Sequence, residues 1–324
     1  MALTRRHFVS GAIAGAFPLA GNRAIAQEWP SQGIKIVVPF GPGGSADVIA
    51  RYVAAFLKDS LKQSVVIENR TGAAGTIGTY AVANAKPDGY TLIAISNTIT
   101  ANETLYPNRR YDLIRSLAPV ALLNVAYNAL VVHPSVKANT VAELIALAKS
   151  KPGMINYASS GTGSVYHIIG ENFRTSAGIQ VQHIPFRSSD QARTAVIGGT
   201  VDYMFDAVPT MLESIRGGLV RVLATTGPKR DRLLPDVSTI AETLPGFEGT
   251  IWIGLLAPAA TPKPIVERLN SEVNSILNMQ STREWHAKLG ASPTPMTISE
   301  FGNFLQNDVE KQRKWIQQAG IKIE

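Results

Sequence analysis

Met154-Ile155-Asn156-Tyr157-Ala158-Ser159-Ser160-Gly161-Thr162-Gly163-Ser164-Val165-Tyr166-His167 decides the reading of this chain. It reads as a short buried strand over 154–158, a loop of small residues over 159–163, and a helix that starts near Ser164. Val165, Ile168, Ile169, Asn172 and Phe173 recur at helical spacing and give one mostly apolar face. Ser164 suits the N-cap, where a hydroxyl accepts from the first free amides. Small residues let loop amides face outward. With the positive end of the helix dipole they make an anion site that needs no Lys or Arg. The plainer reading of the same residues is a tight strand-to-helix turn.

Downstream, His183-Ile184-Pro185-Phe186 ends another strand, and Ser188-Ser189 caps a helix that stops at Gly198-Gly199. Thr200 to Asp206 alternates, with Val201, Tyr203 and Phe205 on one face, and Leu219 to Thr225 is a further strand. Residues 226–249 form a Pro- and Gly-punctuated loop. Thr250 to Ala257 is a return strand, and three helices begin near Pro264, Ser281 and Thr297. Upstream, Thr140-Val141-Ala142-Glu143 is a capping box that opens a helix to about Ser150. Val120 to Val132 is apolar and extended, broken by Asn124 and by Tyr127-Asn128, as a crossing between two lobes near 125–129 would be. Ile34 to Phe40 reads as a strand buried on both faces. It runs into Gly41-Pro42-Gly43-Gly44-Ser45-Ala46-Asp47 and then a helix with Val48, Ile49, Tyr52, Val53, Phe56 and Leu57 on one face. A strand over Ser64–Glu68, a second Gly-rich loop over 69–75, a helix from about Thr76 to Lys86 and a strand from Tyr90 to Ser96, ending at Asn97-Thr98, complete an α/β pattern.

The chain has 324 residues, sparse charge, 27 Gly and 19 Pro, which suits one large or two medium loop-bearing α/β domains and not a coiled coil. It has no cysteine, which excludes disulfides and thiolate metal sites. Thr4-Arg5-Arg6-His7-Phe8-Val9 is a basic n-region, Phe8 to Ala20 a weakly apolar h-region, and Ala24-Ile25-Ala26 a cleavage site. The h-region is too short to span a bilayer. The Arg-Arg-x-Phe pattern resembles a twin-arginine export signal. Cleavage after Ala26 removes Arg5, Arg6 and Arg23 and no acid, so the formal charge falls from +7 to +4. A mildly basic chain without a Lys/Arg run is not expected to bind nucleic acid.

Gly41-x-Gly43-x-x-Ala46 after a strand, with Glu68 about twenty residues on, matches the dinucleotide fingerprint and makes an exported nicotinamide-dependent oxidoreductase the competing reading. Against it, Asp47 falls in the first helical turn, where a pyrophosphate belongs. His167 lies one turn into its helix, able to touch ligand or to pack under the loop. His133 and His183 are isolated and no metal-ligand spacing occurs, so no metal and no cofactor are expected. None of Ser159, Ser160 and Ser164 sits in a G-x-S-x-G elbow, so no catalytic serine is expected. Asp202 and Asp206 flank one strand face, where they read either as paired catalytic carboxylates or, the commoner case, as ordinary solvated residues, with Asp206 nearer the cleft.

Val38-Pro39-Phe40-x-Pro42-Gly43-Gly44-x-x-Asp47-x-x-Ala50-Arg51 resembles the first signature of the substrate-binding proteins of tripartite tricarboxylate transporters, the Bug family. Glu68-Asn69-Arg70-x-Gly72-Ala73-x-Gly75 and Pro87-Asp88-Gly89-Tyr90-Thr91-Leu92 resemble its second and third. The blocks Asn156–His167, His183-x-Pro185-Phe186 and Gly198-Gly199-x-Val201-Asp202 to Asp206 resemble the rest, so the likeness covers nearly the whole mature chain. It implies an α/β, type II periplasmic binding protein: two α/β lobes joined by two crossing strands, with the ligand cleft between them. Lobe 1 would be 27–126 plus 250–324 and lobe 2 127–249, with 1–26 a signal peptide. The expected role is a periplasmic receptor, monomeric and not an enzyme. It would capture a small organic carboxylate for the membrane subunits of such a transporter. The implied site draws Phe40, Gly43, Gly44, Ala46 and Asp47 from the first loop and Asn97 from the end of the third strand. Ser159, Gly161, Thr162, Gly163 and Ser164 come from the facing loop, with His167, Phe186, Arg187 and Asp206 around them.

Neither ligand loop contains Lys or Arg, so the carboxylate is expected on amides, hydroxyls and water. Asp47 would brace loop amides or accept from bridging waters, and Phe40 and Phe186 would wall the cleft. Where family members carry a Lys-Gly-x-Ala-Pro-like turn, this chain has Arg187-Ser188-Ser189-Asp190-Gln191, a change that bears on ligand preference. The mature protein is predicted to begin at Gln27. Intact mass of protein recovered from the periplasm checks this, and a mass that retains the first 26 residues counts against export with cleavage.

Overall fold

The computed structural model describes residues 29–322; the expected signal peptide and cleavage site lie outside them. The first half runs β1 (Ile34–Val38), α1 (Ser45–Leu61), β2 (Val65–Asn69), α2 (Thr76–Ala83), β3 (Thr91–Ser96), α3 (Asn97–Leu105), α4 (Leu113–Ser116) and β4 (Leu117–Val132). Then come α5 (Val141–Ser150), β5 (Asn156–Ser159), α6 (Val165–Ala177), β6 (Gln182–Pro185), α7 (Ser189–Ile197), β7 (Tyr203–Ala207), α8 (Val208–Arg216) and β8 (Arg221–Thr225). The chain returns through β9 (Thr250–Pro258), α9 (Lys263–Asn278), α10 (Gln280–Lys288), β10 (Ala291–Pro293) and α11 (Ile298–Ala319).

Several elements differ from the sequence reading. The chain does not end a strand at Asn97-Thr98 but turns straight into α3, with the Ser96 hydroxyl accepting from the Thr98 amide at 3.4 Å. Helix α8 likewise follows β7 without a loop and carries Pro209 in its first turn, where a missing N–H costs nothing. Strand β5 starts at Asn156 and not at Met154. There the Asn156 amide donates to Asp202 Oδ2 (2.8 Å) and the Asp202 amide to Asn156 Oδ1 (3.0 Å), so Asp202 ties two strands together. Helix α2 ends at Ala83, short of Lys86.

The strand order is β2-β1-β3-β9-β4-β7-β5-β6, with β8 and β10 also paired to β4. Strand β4 pairs β9 from Leu117 to Tyr127, then β7 from Asn128 to Val132. Its partners therefore change between Tyr127 and Asn128. Ile36, Val38, Ile49, Val53 and Leu57 belong to a core on the first side of that change. Tyr157, Phe173, Tyr203 and Phe205 belong to a core on the second. The chain crosses back at Gly249-Thr250, and the two crossings are fastened together. The Thr226 hydroxyl donates to the Gly249 carbonyl and accepts from the Asn128 amide (2.9 Å), while Asn128 Nδ2 donates to the same carbonyl (2.8 Å).

Thr226→Val keeps the shape and leaves the buried Asn128 amide without its partner, a loss of about 1–3 kcal/mol. Thr225→Val next door removes a hydroxyl already buried without a partner, and is expected to cost less. Denaturant unfolding of the two variants checks the order.

Candidate functional site

Strand directions build the site. β1 and β3 are parallel to β2 and antiparallel to β9, and β4 is antiparallel to β9, so β1 and β3 run the same way as β4, toward the crossing. β7 is antiparallel to β4 and parallel to β5, so both run back toward it. The carboxyl ends of β1, β3, β5 and β7 therefore face one another across Tyr127-Asn128. Helices α1, α3, α6 and α8 begin at those ends, which brings four positive dipole ends to one cleft.

In the first loop Asp47 is buried, and both its oxygens are engaged. Oδ2 accepts from the Gly43 amide (2.9 Å) and Arg51 Nε (2.9 Å), and Oδ1 from Asn69 Nδ2 (2.8 Å). Asn69 Nδ2 also donates to the Phe40 carbonyl (3.0 Å). Burial pushes the Asp47 carboxyl up, but the bonds from Arg51, Gly43 and Asn69 outweigh it and hold it at about 2. Asp47 is thus a brace for the loop, one of its two expected roles. Gly43 holds φ +80, which glycine adopts without strain. Gly44 is the extended N-cap of α1. Ala46 turns its methyl into the core, so its amide is what remains for the cleft.

In the facing loop Ser164 caps α6, its hydroxyl accepting from the His167 amide at 3.3 Å. Gly163, buried with φ +78, donates its amide to His167 Nδ1 (3.0 Å). Gly161 donates its amide to Ser159 Oγ (3.1 Å). These two amides, expected to face a ligand, shape the loop instead. Ser159 is fully buried and its Oγ lies 2.6 Å from His183 Nε2. His183, isolated in sequence, stacks on His167 with ring centroids 4.0 Å apart and on Tyr157 at 4.9 Å. Helix α6 lies close over β5 because Gly170 has no Cβ; one would sit 2.3 Å from the Tyr157 ring. The amides of Thr162, Val165 and Tyr166 have no partner among the described residues.

The remaining expected residues separate. Phe40 and Phe186 are partly buried against the cores. Asn97 donates Nδ2 to the Thr250 carbonyl (2.9 Å), and its Oδ1 is buried without a partner. Arg187 is exposed and pairs with no carboxylate among the described residues. Asp206 is not a solvated strand residue. It is fully buried, accepting from Arg193 Nε (2.9 Å) and the Ala207 amide (2.8 Å). Burial pushes its carboxyl up and Arg193 opposes the push. Arg193, Asn69 and Arg51 were not picked out as site residues. Asp47-x-x-x-Arg51 and Asp190-x-x-Arg193, acid–base pairs at helical spacing, signal themselves in the sequence; Asn69 does not. The dinucleotide fingerprint is not built as such: the Asp47 carboxylate holds the Gly43 amide that a pyrophosphate would use, and Glu68 pairs with Lys35 at 3.0 Å.

Two α/β halves, two crossing strands and an anion-seeking cleft between opposed strand ends define a type II periplasmic binding fold, the fold of solute receptors. The family model for the tripartite tricarboxylate transporter family receptor matches residues 49–321, and this chain belongs to that family. Protein BugT of Bordetella pertussis is 34% identical over 301 residues, 92% of this chain and 92% of BugT. Among solved structures, R. palustris Rpa4515 with adipate superposes with a TM-score of 0.84 at 33% identity, covering 91% of this chain and 99% of that one. MatC from Rhodopseudomonas palustris with bound malate gives 0.79 at 31% identity, covering 89% of this chain and 100% of MatC.

The stacked histidines make the second loop sensitive to acid. Burial, with Arg174 nearby, lowers His167 from 6.5 to about 4. Burial and His167 lower His183 to about 4, with Glu171 opposing. Between pH 6.5 and 4 the unfolded chain holds protons that the folded chain does not, so stability falls as pH falls through that window. Asp47 adds its loss only below 3.8. Melting temperature is expected to drop from pH 6.5 to 4, and to drop less in His167→Gln, whose side-chain oxygen can still accept from Gly163.

Proposed function

We propose that this receptor is periplasmic, binds a small organic carboxylate between its two lobes, and delivers it to the membrane subunits of a tripartite tricarboxylate-type transporter. A di- or tricarboxylate, an aromatic acid or an acidic amino acid meets the description. The reading rests on one observation above all: unpartnered amides at the starts of α6 and α1 face a cleft whose loops, 40–47 and 159–164, carry no Lys or Arg. Helix N-termini of this kind hold carboxylates and phosphates. The adipate and malate named with two structural neighbours favour the carboxylate. Residues 29–126 with 250–322 form one lobe and 127–249 the other, and they rotate about the fastened crossings.

A thermal-shift screen over mono-, di- and tricarboxylates, aromatic acids and acidic amino acids tests the ligand class, since ligand at a hundred times its Kd stabilises by about 2.7 kcal/mol. Val165→Pro tests how charge is held. Val165 is the first residue of α6, and Ser164 before it is extended at φ −68, ψ 159, so proline fits the backbone, keeps an apolar ring against the core that Val165 packs on, and removes the amide donor. A hydrogen bond to a charged group contributes about 1.5–3 kcal/mol, so Val165→Pro is expected to weaken binding at least tenfold. Arg187→Ala, an exposed cation, is expected to change it by less than about 1 kcal/mol. Calorimetry with an acid that scores in the screen ranks the two. The opposite order overturns amide-held binding in favour of a salt bridge.

A further inference from the structure

The loop over 106–112 leaves the end of α3 and lies beside α2, and a cavity of about 580 Å³ opens between them. Its floor is apolar and recessed, with Leu105 and Tyr111 each 7% exposed. Its lip is apolar and bare: Ile77 is 51% exposed and Tyr80, one turn on along α2, is 40% exposed. Tyr106 and Pro107 complete the apolar lining. Arg109 braces the loop that forms one wall. Its Nε donates to Glu103 Oε1 (2.6 Å), and its Nη1 to the carbonyls of Glu103 (2.9 Å) and Tyr106 (3.2 Å). The Leu113 amide donates to the same carboxylate oxygen (3.2 Å). Arg109 is thus neutralised and fixed. Arg110 also lines the cavity, is exposed, and pairs with no carboxylate among the described residues. The cavity lies away from the cleft: α3 starts in the cleft at Asn97 and ends at Leu105, about 12 Å along its axis.

We propose that this cavity is a second binding site, for an acid with an apolar body and one negative charge. The body rests on Ile77, Tyr80 and Leu105, and the carboxylate meets Arg110. The volume and the mostly apolar lining are those of pockets for small organic molecules. A recessed floor beneath an exposed lip suits a small body and not the flat face of a protein. Covering Ile77 and Tyr80 removes apolar surface from water and drives the binding. The charge follows from the cations present. Glu103 already compensates Arg109, so Arg110 alone is left, and one carboxylate balances it. The two sites therefore hold charge differently, since the cleft loops contain no Lys or Arg.

The chain has no cysteine, so a single introduced thiol reports on one place. In Ile77→Cys, at the lip, the rate of modification by N-ethylmaleimide is measured with and without octanoate, phenylacetate and indole-3-acetate. Leu219→Cys, at a side chain 52% exposed on the other half of the molecule, is treated alike. Occupancy slows modification in proportion to the sites left open. At least one acid is expected to slow Ile77→Cys about threefold or more and to leave Leu219→Cys unchanged. Adding Arg110→Glu is expected to abolish that protection, and adding the cleft substitution Val165→Pro to leave it intact. Should Ile77→Cys fail to fold, Tyr80→Cys carries the same comparison. No protection by any of the three acids, equal protection at both thiols, or protection that survives Arg110→Glu overturns the proposal. Protection lost in Val165→Pro overturns it too, by tracing the effect to the cleft.

Discussion

A sixteen-residue strand that changes partners midway is the constraint from which the rest follows. β4 must satisfy its backbone groups along its whole length, and it does so with β9 before Tyr127 and with β7 and β8 after Asn128. That single strand fixes the direction of every other. Parallel strands on one side must end where parallel strands on the other side end. Their helices then start in the same narrow region with their first amides facing inward. The cleft is a consequence of pairing rules, before any side chain is considered.

Side chains decide how much of that positive potential is left for a ligand. The first loop uses Asp47 to hold the Gly43 amide, with Asn69 reaching across from β2 to hold both Asp47 and the Phe40 carbonyl. The second loop uses neutral groups for the same job: His167 holds the Gly163 amide and Ser159 that of Gly161. The start of α1 is therefore compensated by an ionised carboxylate and the start of α6 is not. Two loops alike in composition differ in charge, and an anion entering between them finds α6 the more favourable side.

The sequence carried the architecture well. Strand, small-residue loop and helix at 156–167, the capping boxes at Thr140 and Thr297, and the extended crossing near 125–129 each rest on local chemistry, and the folded chain has all of them. Helices α3 and α8 were not legible because no turn residues separate them from β3 and β7. Only Ser96 as a cap and Pro209 in the first turn mark them. The site was legible as a place and less so as a set of contacts. Glycines at 161 and 163 announce a tight loop without showing what their amides meet. His183 looked solitary because its partners, Tyr157 and His167, become neighbours only when β6 pairs with β5. The bulge at Leu123, where Leu122 pairs with Gly254 and Asn124 with Ile253, is likewise a matter of register, and nothing in the run Leu122-Leu123-Asn124 announces it.

Helix α6 does more than present its first turn. Its Ile168 packs against Ala101 and Leu105 of α3 and Ile316 of α11, and Arg174 donates to the Ala319 carbonyl at 3.2 Å. An apolar seam thus ties the second half of the molecule to the first at a point apart from the crossing strands. A body held along a pair of strands and again along a helix seam moves most easily by rotation about the line joining the two attachments. Sliding and twisting would break contacts at one or the other. Little orientational freedom is then left to lose when a solute is enclosed, and the loss of such freedom is a main cost of association. The seam lies about one turn behind the starts of α3 and α6, so the residues that tie the two halves also fix where those helix starts stand.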